Sequence, residues 1–165
     1  LKILVEGICR SKLISSHFNE KFLEVEIQDL PTTGLESTTE LEASWRQLKA
    51  LYATYAQLNT KIPTDLMALT NTPEDMDIVS DTLAIHLNLT FDERQQLLEL
   101  YDLKERIIKL CAFLKKEIDI LETEERIRAT IQKQVEKNQR EYYLNEQIKA
   151  IQKELGKEDI STEIS

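Results

Sequence analysis

A loop that cradles phosphate needs clustered glycines whose bare backbone can approach the oxygens, and this chain has only Gly7, Gly34 and Gly156, far apart from one another. No nucleotide site follows from them. His17 and His86 stand with Cys9 and Cys111 at spacings unlike the sequence-local ligand pairs of a zinc site, so no metal is expected. No serine sits in a tight glycine elbow, and Ser11 beside Lys12 is adjacency rather than an activated nucleophile. Carboxylate neighbours such as Glu124 and Glu125 read as a solvated helix face. The chain therefore carries no catalytic constellation, and its function is sought in what it can bind and how it is built.

With 41% apolar and 31% charged residues among 165, the composition fits a folded, helix-rich protein, and no run approaches the apolar length of a membrane span. The start, Leu1-Lys2-Ile3-Leu4-Val5, is strand-like and unlike a signal or transit peptide, and reads as the cut edge of something longer. The two distant cysteines are expected to be buried, reduced thiols, which suits a cytoplasmic protein. The net charge is −9, yet residues 126–153 carry 7 Lys and Arg against 3 Asp and Glu. That basic stretch could meet phosphates, but acidic flanks and missing aromatic interleaving argue against nucleic acid as the partner.

The elements that organise the chain come next. Ile3, Val5, Gly7 and Cys9 alternate with their neighbours, as do Leu23, Val25 and Ile27, which predicts half-buried strands, with a short strand at Lys12 to Ser16 between them. So few strands cannot bury a face, and the remainder of the sheet is expected upstream of residue 1. Residues 1–30 thus read as the end of an incomplete β-rich subdomain, and 31–38, with Pro31 and Gly34, as a linker. Four N-caps follow: Thr39 with Glu42, Thr72 with Pro73 and Asp75, Thr90 with Glu93, and Asp102 with Glu105.

Leu41, Trp45, Leu48, Tyr52, Tyr55 and Leu58 form the apolar face of a first helix. Short helices are expected at Asp65 to Leu69, at Glu74 to Leu87 with Met76, Val79 and Leu83 inward, and at Phe91 to Leu100 with Leu97 and Leu98 inward. Residues 39–121 make a helical bundle, and the fold class is mainly α, α+β when the strands are counted.

From Leu103 to Gly156 there is no proline and no internal glycine, enough for a helix of about 80 Å. Its first stripe, Leu103, Ile107, Leu110, Cys111, Leu114, Ile118 and Leu121, packs on the bundle. Beyond Glu122 the apolar seam narrows to Ile127, Ile131, Val135 and Tyr142, each within about 40° of Ile131 on the helical wheel. The intervening helix would be propped by Glu122 with Arg126, Glu124 with Arg128, Glu136 with Arg140 and Lys137 with Glu141, at about 0.2 to 0.5 kcal/mol each. A last stripe, Leu144, Ile148, Ile151 and Leu155, points roughly 200° to 260° from Ile131, more than the drift of a single seam supplies. Separate partners for the two faces are the main reading, with a curved helix and wandering seam as the other. Gly156 is the expected stop, with 157–165 a polar tail.

The stretch Arg140-Glu141-Tyr142-Tyr143-Leu144-Asn145-Glu146-Gln147-Ile148-Lys149-Ala150-Ile151-Gln152-Lys153-Glu154-Leu155-Gly156 resembles the segment that leads into the ATPase domain in Lon proteases. Val5-Glu6-Gly7 with Arg10, the segment Asn59 to Pro63, Asp81 to Leu89 and Glu99 to Arg106 match that family in pattern as well, with Ile148 where methionine is common. The resemblance implies the amino-terminal region of a hexameric, ATP-dependent serine endopeptidase. This region would bind misfolded or degron-bearing proteins and space subunits above the ATPase ring in protein quality control. The P-loop and Ser-Lys dyad, and the ATP and Mg they use, would belong to the rest of such a protein, because none of their motifs maps onto this chain, which is itself expected not to be an enzyme. Ile127, Ile131, Val135, Tyr142 and Tyr143 are the candidate intersubunit contacts, with packing inside one chain as the competing reading. A stand-alone helical scaffold dimerising through the long helix is the alternative function.

Overall fold

The computed structural model describes residues 2–59, 62–63, 66 and 72–162, with the side chains of 157–162 left aside. The fold is mainly α, with a two-stranded antiparallel sheet ahead of four helices. Strands β1 (Ser11–Phe18) and β2 (Leu23–Asp29) pair from Ser11 opposite Asp29 to Phe18 opposite Leu23. The register shifts between Leu13 and Ser15, which leaves Ile14 as the extra residue of a bulge. Asn19 makes the turn, its side-chain oxygen accepting from the backbone N–H of Lys21 at 3.0 Å and of Phe22 at 2.9 Å.

The strand expected over Ile3 to Cys9 is absent: residues 2–10 run without regular structure. A strand exists through its ladder, and among the described residues nothing pairs with this segment. Cys9 is consequently exposed rather than buried, beside Asp29 and Ser11, while Cys111 is buried as expected and burial raises the pKa of its thiol.

Helix α1 (Thr39–Leu58) begins one residue earlier than its second threonine implies: Thr38 is the extended N-cap, accepting from Leu41 N at 3.1 Å. Leu41, Trp45, Leu48, Tyr52 and Tyr55 are buried and Leu58 half-buried. Helices α2 (Pro73–His86) and α3 (Phe91–Glu99) open on full capping boxes, Thr72 with Asp75 and Thr90 with Glu93. Met76, Leu83 and Leu97 point into the core, whereas Leu98 is 54% exposed, against expectation, because a nine-residue helix turns only one narrow face inward. The expected helix at Asp65 to Leu69 lies outside the described residues.

Helix α4 runs unbroken from Leu103 to Thr162, straight through 122–141. Of the stripe that spacing assigned to the bundle, Leu103, Ile107, Leu110, Cys111, Leu114 and Ile118 are buried and Leu121 is half-buried, and Phe113, outside that stripe, is buried as well. The stop expected at Gly156 does not occur. A terminating glycine must take the left-handed conformation, and among the described glycines only Gly34 has positive φ. Within a helix Gly156 costs only about 1 kcal/mol, too little to end one. Of the four expected i,i+4 ion pairs, only Lys137 with Glu141 closes, at 3.8 Å; amide pairs such as Gln132 with Glu136 and Gln134 with Asn138 appear instead.

Two compact units are distinguished, Leu1–Ile120 and Leu121–Ser165. Within the first, the segment after β2 is stitched to the start of α4: Thr33 N donates to Tyr101 O at 2.8 Å, and Leu103 N to Thr33 O at 3.0 Å. Ion pairs join Lys104 of α4 to Glu40 of α1, and Lys116 of α4 to Glu93 of α3 at 2.7 Å.

Gly34 has φ of 74°, and a Cβ there would meet the Asp102 carboxylate at 2.8 Å. That carboxylate caps α4 by accepting from Glu105 N at 3.0 Å. Gly34→Ala is expected to cost about 1 to 2 kcal/mol from the left-handed backbone alone, with the displaced cap adding to it, as read by urea denaturation. The Lys116 ammonium, and next the Thr90 backbone N–H, hold Glu93 down to about 2 from its ordinary 4.5. A lowered carboxylate pKa gives stability that is complete above the unfolded value and disappears as pH falls through the folded one. The melting-temperature advantage of the unaltered chain over Glu93→Gln should therefore shrink between pH 4.5 and 2, and a constant difference would refute the pairing.

Candidate interaction surfaces

The side chains of β1 and β2 are exposed along their whole length. Leu13, Phe18, Phe22, Leu23, Val25 and Ile27 each leave half or more of their surface open. Phe18 and Phe22 flank the Asn19 turn, so the hairpin tip presents two aromatic rings to solvent. Spacing read the strand residues as half-buried and passed over both phenylalanines, because alternation marks an apolar face without telling whether that face is covered.

The base of the hairpin is polar. Arg106, on the buried face of α4, is 1% exposed and donates through Nε to Leu100 O at 2.9 Å. Its Nη1 donates to Asp77, to Ser80 Oγ at 3.3 Å and to Asp81 Oδ1 at 3.2 Å. Arg10, just before β1, donates to the same Asp81 oxygen, and Thr32, just after β2, donates to Asp77 Oδ2 at 2.9 Å. Two carboxylates of α2 thus gather both ends of the hairpin around a guanidinium that a low-dielectric site would otherwise leave uncompensated. Sequence reasoning missed this cluster. Asp77 and Asp81 stand on α2 and Arg106 on α4, and only the i,i+4 spacing of the two aspartates hinted at a shared face.

On α4 the residues singled out by spacing are all solvent-facing: Ile127, Ile131, Val135, Tyr142 and Tyr143 are exposed, Tyr142 at 69%. Thr123, Arg126, Ile127, Thr130 and Ile131 line one shallow surface depression, and Ala150, Ile151, Glu154 and Leu155 another. Leu144, Ile148, Ile151 and Leu155 are likewise exposed. Among the described residues no helix is long and apolar enough to cross a membrane.

The apolar side chains of the hairpin and of the far part of α4 are open surfaces of the described residues. Residues 1–116 match the model of the ATP-dependent protease La (LON) substrate-binding domain, and the chain belongs to that family. A Lon protease of Syntrophomonas wolfei is 40% identical over 159 residues, 96% of this chain and 20% of that protein. A Lon protease of Azospirillum brasilense is 43% identical over 156 residues, 94% of this chain and 19% of its own length. A Lon protease of Escherichia coli K12 is 39% identical over 159 residues, again 96% and 20%. The chain spans about a fifth of the length of the curated relatives it matches.

Asp77→Ala takes one of two carboxylates from the buried Arg106, which keeps Asp81, and removes the acceptor of Thr32. It is expected to lower unfolding stability by about 1 to 3 kcal/mol. Arg106→Met with Asp77→Leu, which removes charge on both sides, should recover part of the loss in the same urea titration.

Proposed function

We propose that this chain is the substrate-recognition and assembly region of an ATP-dependent Lon-type protease that acts in protein quality control in the cytoplasm. The observation that carries the reading is the hairpin, whose apolar side chains lie open on a stretch that matches a substrate-binding domain. A misfolded or degron-bearing protein differs from a native one in displaying apolar segments, and such segments gain about 25 cal/mol per Å² when they cover apolar surface. Contacts of this size are weak singly. Repeated on the subunits of a hexamer, they act together through effective concentration.

The seam at Ile127, Ile131, Val135, Tyr142 and Tyr143 is assigned to a second copy of the chain. Its residues recur at helical spacing and are flanked by charged and amide side chains, as at a two-helix interface. In this reading α4 spaces subunits above the ATPase ring, while ATP, Mg and the Ser-Lys dyad act elsewhere in the whole protein and no residue here takes part in the chemistry. A stand-alone scaffold would share the seam but has no use for an open apolar hairpin.

Two experiments test this. A full-length parent lacking the counterpart of residues 1–125 is expected to hydrolyse ATP without degrading a permanently unfolded protein such as reduced, carboxymethylated lactalbumin. Undiminished degradation would refute recognition, and loss of both activities would assign the region to assembly alone. In the 165-residue chain, Ile131→Asp should weaken self-association by tenfold or more in sedimentation equilibrium, with the helical circular dichroism of the chain retained.

A further inference from the structure

Five exposed apolar residues of α4, Ile120, Ile127, Ile131, Val135 and Tyr142, are spaced symmetrically about the middle one. Ile127 and Val135 stand four residues to either side of Ile131, and Ile120 and Tyr142 eleven to either side. Eleven residues close on three helical turns, so all five lie within about 40° of Ile131 on the wheel. The polar positions on that face are mirrored as well, Glu124 and Asn138 seven residues to either side. A contact between two copies about a two-fold axis sets residue i against j and j against i, whereas an unlike partner demands no mirror symmetry of the helix it meets. We propose that α4 pairs with α4 of a second copy in antiparallel orientation, the two-fold axis passing at Ile131. This rests on the reading of the seam as a contact between copies, and adds its direction and register.

In this register Ile131 meets its own copy, Ile127 meets Val135, and Ile120 meets Tyr142. The surface has the matching relief: Glu124, Ile127, Arg128 and Ile131 line a shallow depression, the four-residue hole that one side chain of a facing helix enters. Val135 of the second copy is the knob that the two-fold brings there. Charge selects the direction. A parallel pair in register would set Glu124 against Glu124 on the seam. It would also lay residues 119–125, with Asp119, Glu122, Glu124, Glu125 and no Lys or Arg, along the same four acids. Like charges so opposed disfavour that pairing. The antiparallel pair puts the Asn138 amide, a donor, opposite the Glu124 carboxylate. It lays 119–125 along 137–143, where Lys137 and Arg140 outnumber Glu141. Such a pair also keeps subunits apart, because the two copies of Leu155 then lie about 70 Å from each other across the axis.

The test puts one spin label at Gln152→Cys or at Gln132→Cys in the 165-residue chain carrying Cys9→Ser, Cys111 being buried. Distances are measured by pulsed dipolar spectroscopy at concentrations where sedimentation equilibrium shows the dimer. Antiparallel pairing predicts about 60 Å between labels at 152 and less than about 30 Å between labels at 132. Short distances at both positions would overturn the orientation while leaving self-association intact, and widely separated labels at 132 would overturn the register. A chain that is monomeric at every concentration would overturn the proposal together with the reading beneath it. Exchanging the seam pair, Glu124→Lys with Asn138→Glu, sets opposite charges across an antiparallel contact and like charges across a parallel one. Dimer affinity is expected to rise by about twofold or more. An unchanged or weaker dimer would overturn antiparallel pairing.

Discussion

The compact part of this chain depends on the face that α4 buries between Leu103 and Ile118. Among the described residues of the first unit, the other helices and the base of the hairpin are registered on those turns. Asp102 caps them, Gly34 makes room for the cap, Lys104 reaches α1, Lys116 reaches α3, and Arg106 gathers α2 with both ends of the hairpin. Apolar burial along that face supplies the driving force, and the charged residues interleaved with it decide which helix meets which turn. Long basic side chains suit the role, because their stems lie along apolar surface while their heads find acceptors at its edge.

The hairpin is the opposite case. A two-stranded sheet has too little surface to bury a side of its own, and the apolar residues of β1 and β2 are exposed in this chain. Its position is set by ionic and hydroxyl contacts at the base, which are directional, individually modest and sensitive to screening. Apolar side chains held on a polar mount remain available to a partner, which fits a chain that belongs to a family of substrate-binding domains.

Farther along α4 the helix carries apolar residues that nothing in its own chain covers among those described. Helix propensity and amide pairs keep such a segment helical, since glutamate, glutamine, lysine and arginine make up more than half of residues 122–156, which hold no proline. Those local terms account for its conformation, and Ile127, Ile131 and Tyr142 stand exposed along it.

Much of the helical architecture was legible in the residues. Thr72 with Asp75 and Thr90 with Glu93 announced two helix starts, because a capping box is a contact between residues three apart and needs no distant partner. Leu103, Ile107, Leu110 and Leu114 marked the buried face of α4 for the same reason, since helical period is local geometry. The reading failed where a local pattern required a neighbour. Ile3 to Cys9 alternates like a strand but pairs with nothing among the described residues. Gly156 looks like a stop yet never takes left-handed φ. Local covalent geometry and spacing therefore determined which segments are helical and which faces are apolar. Tertiary structure alone decided whether those faces are covered, and it brought Arg10, Asp77, Asp81 and Arg106 together, because burial and charge pairing are properties of surfaces that meet only after the chain has folded.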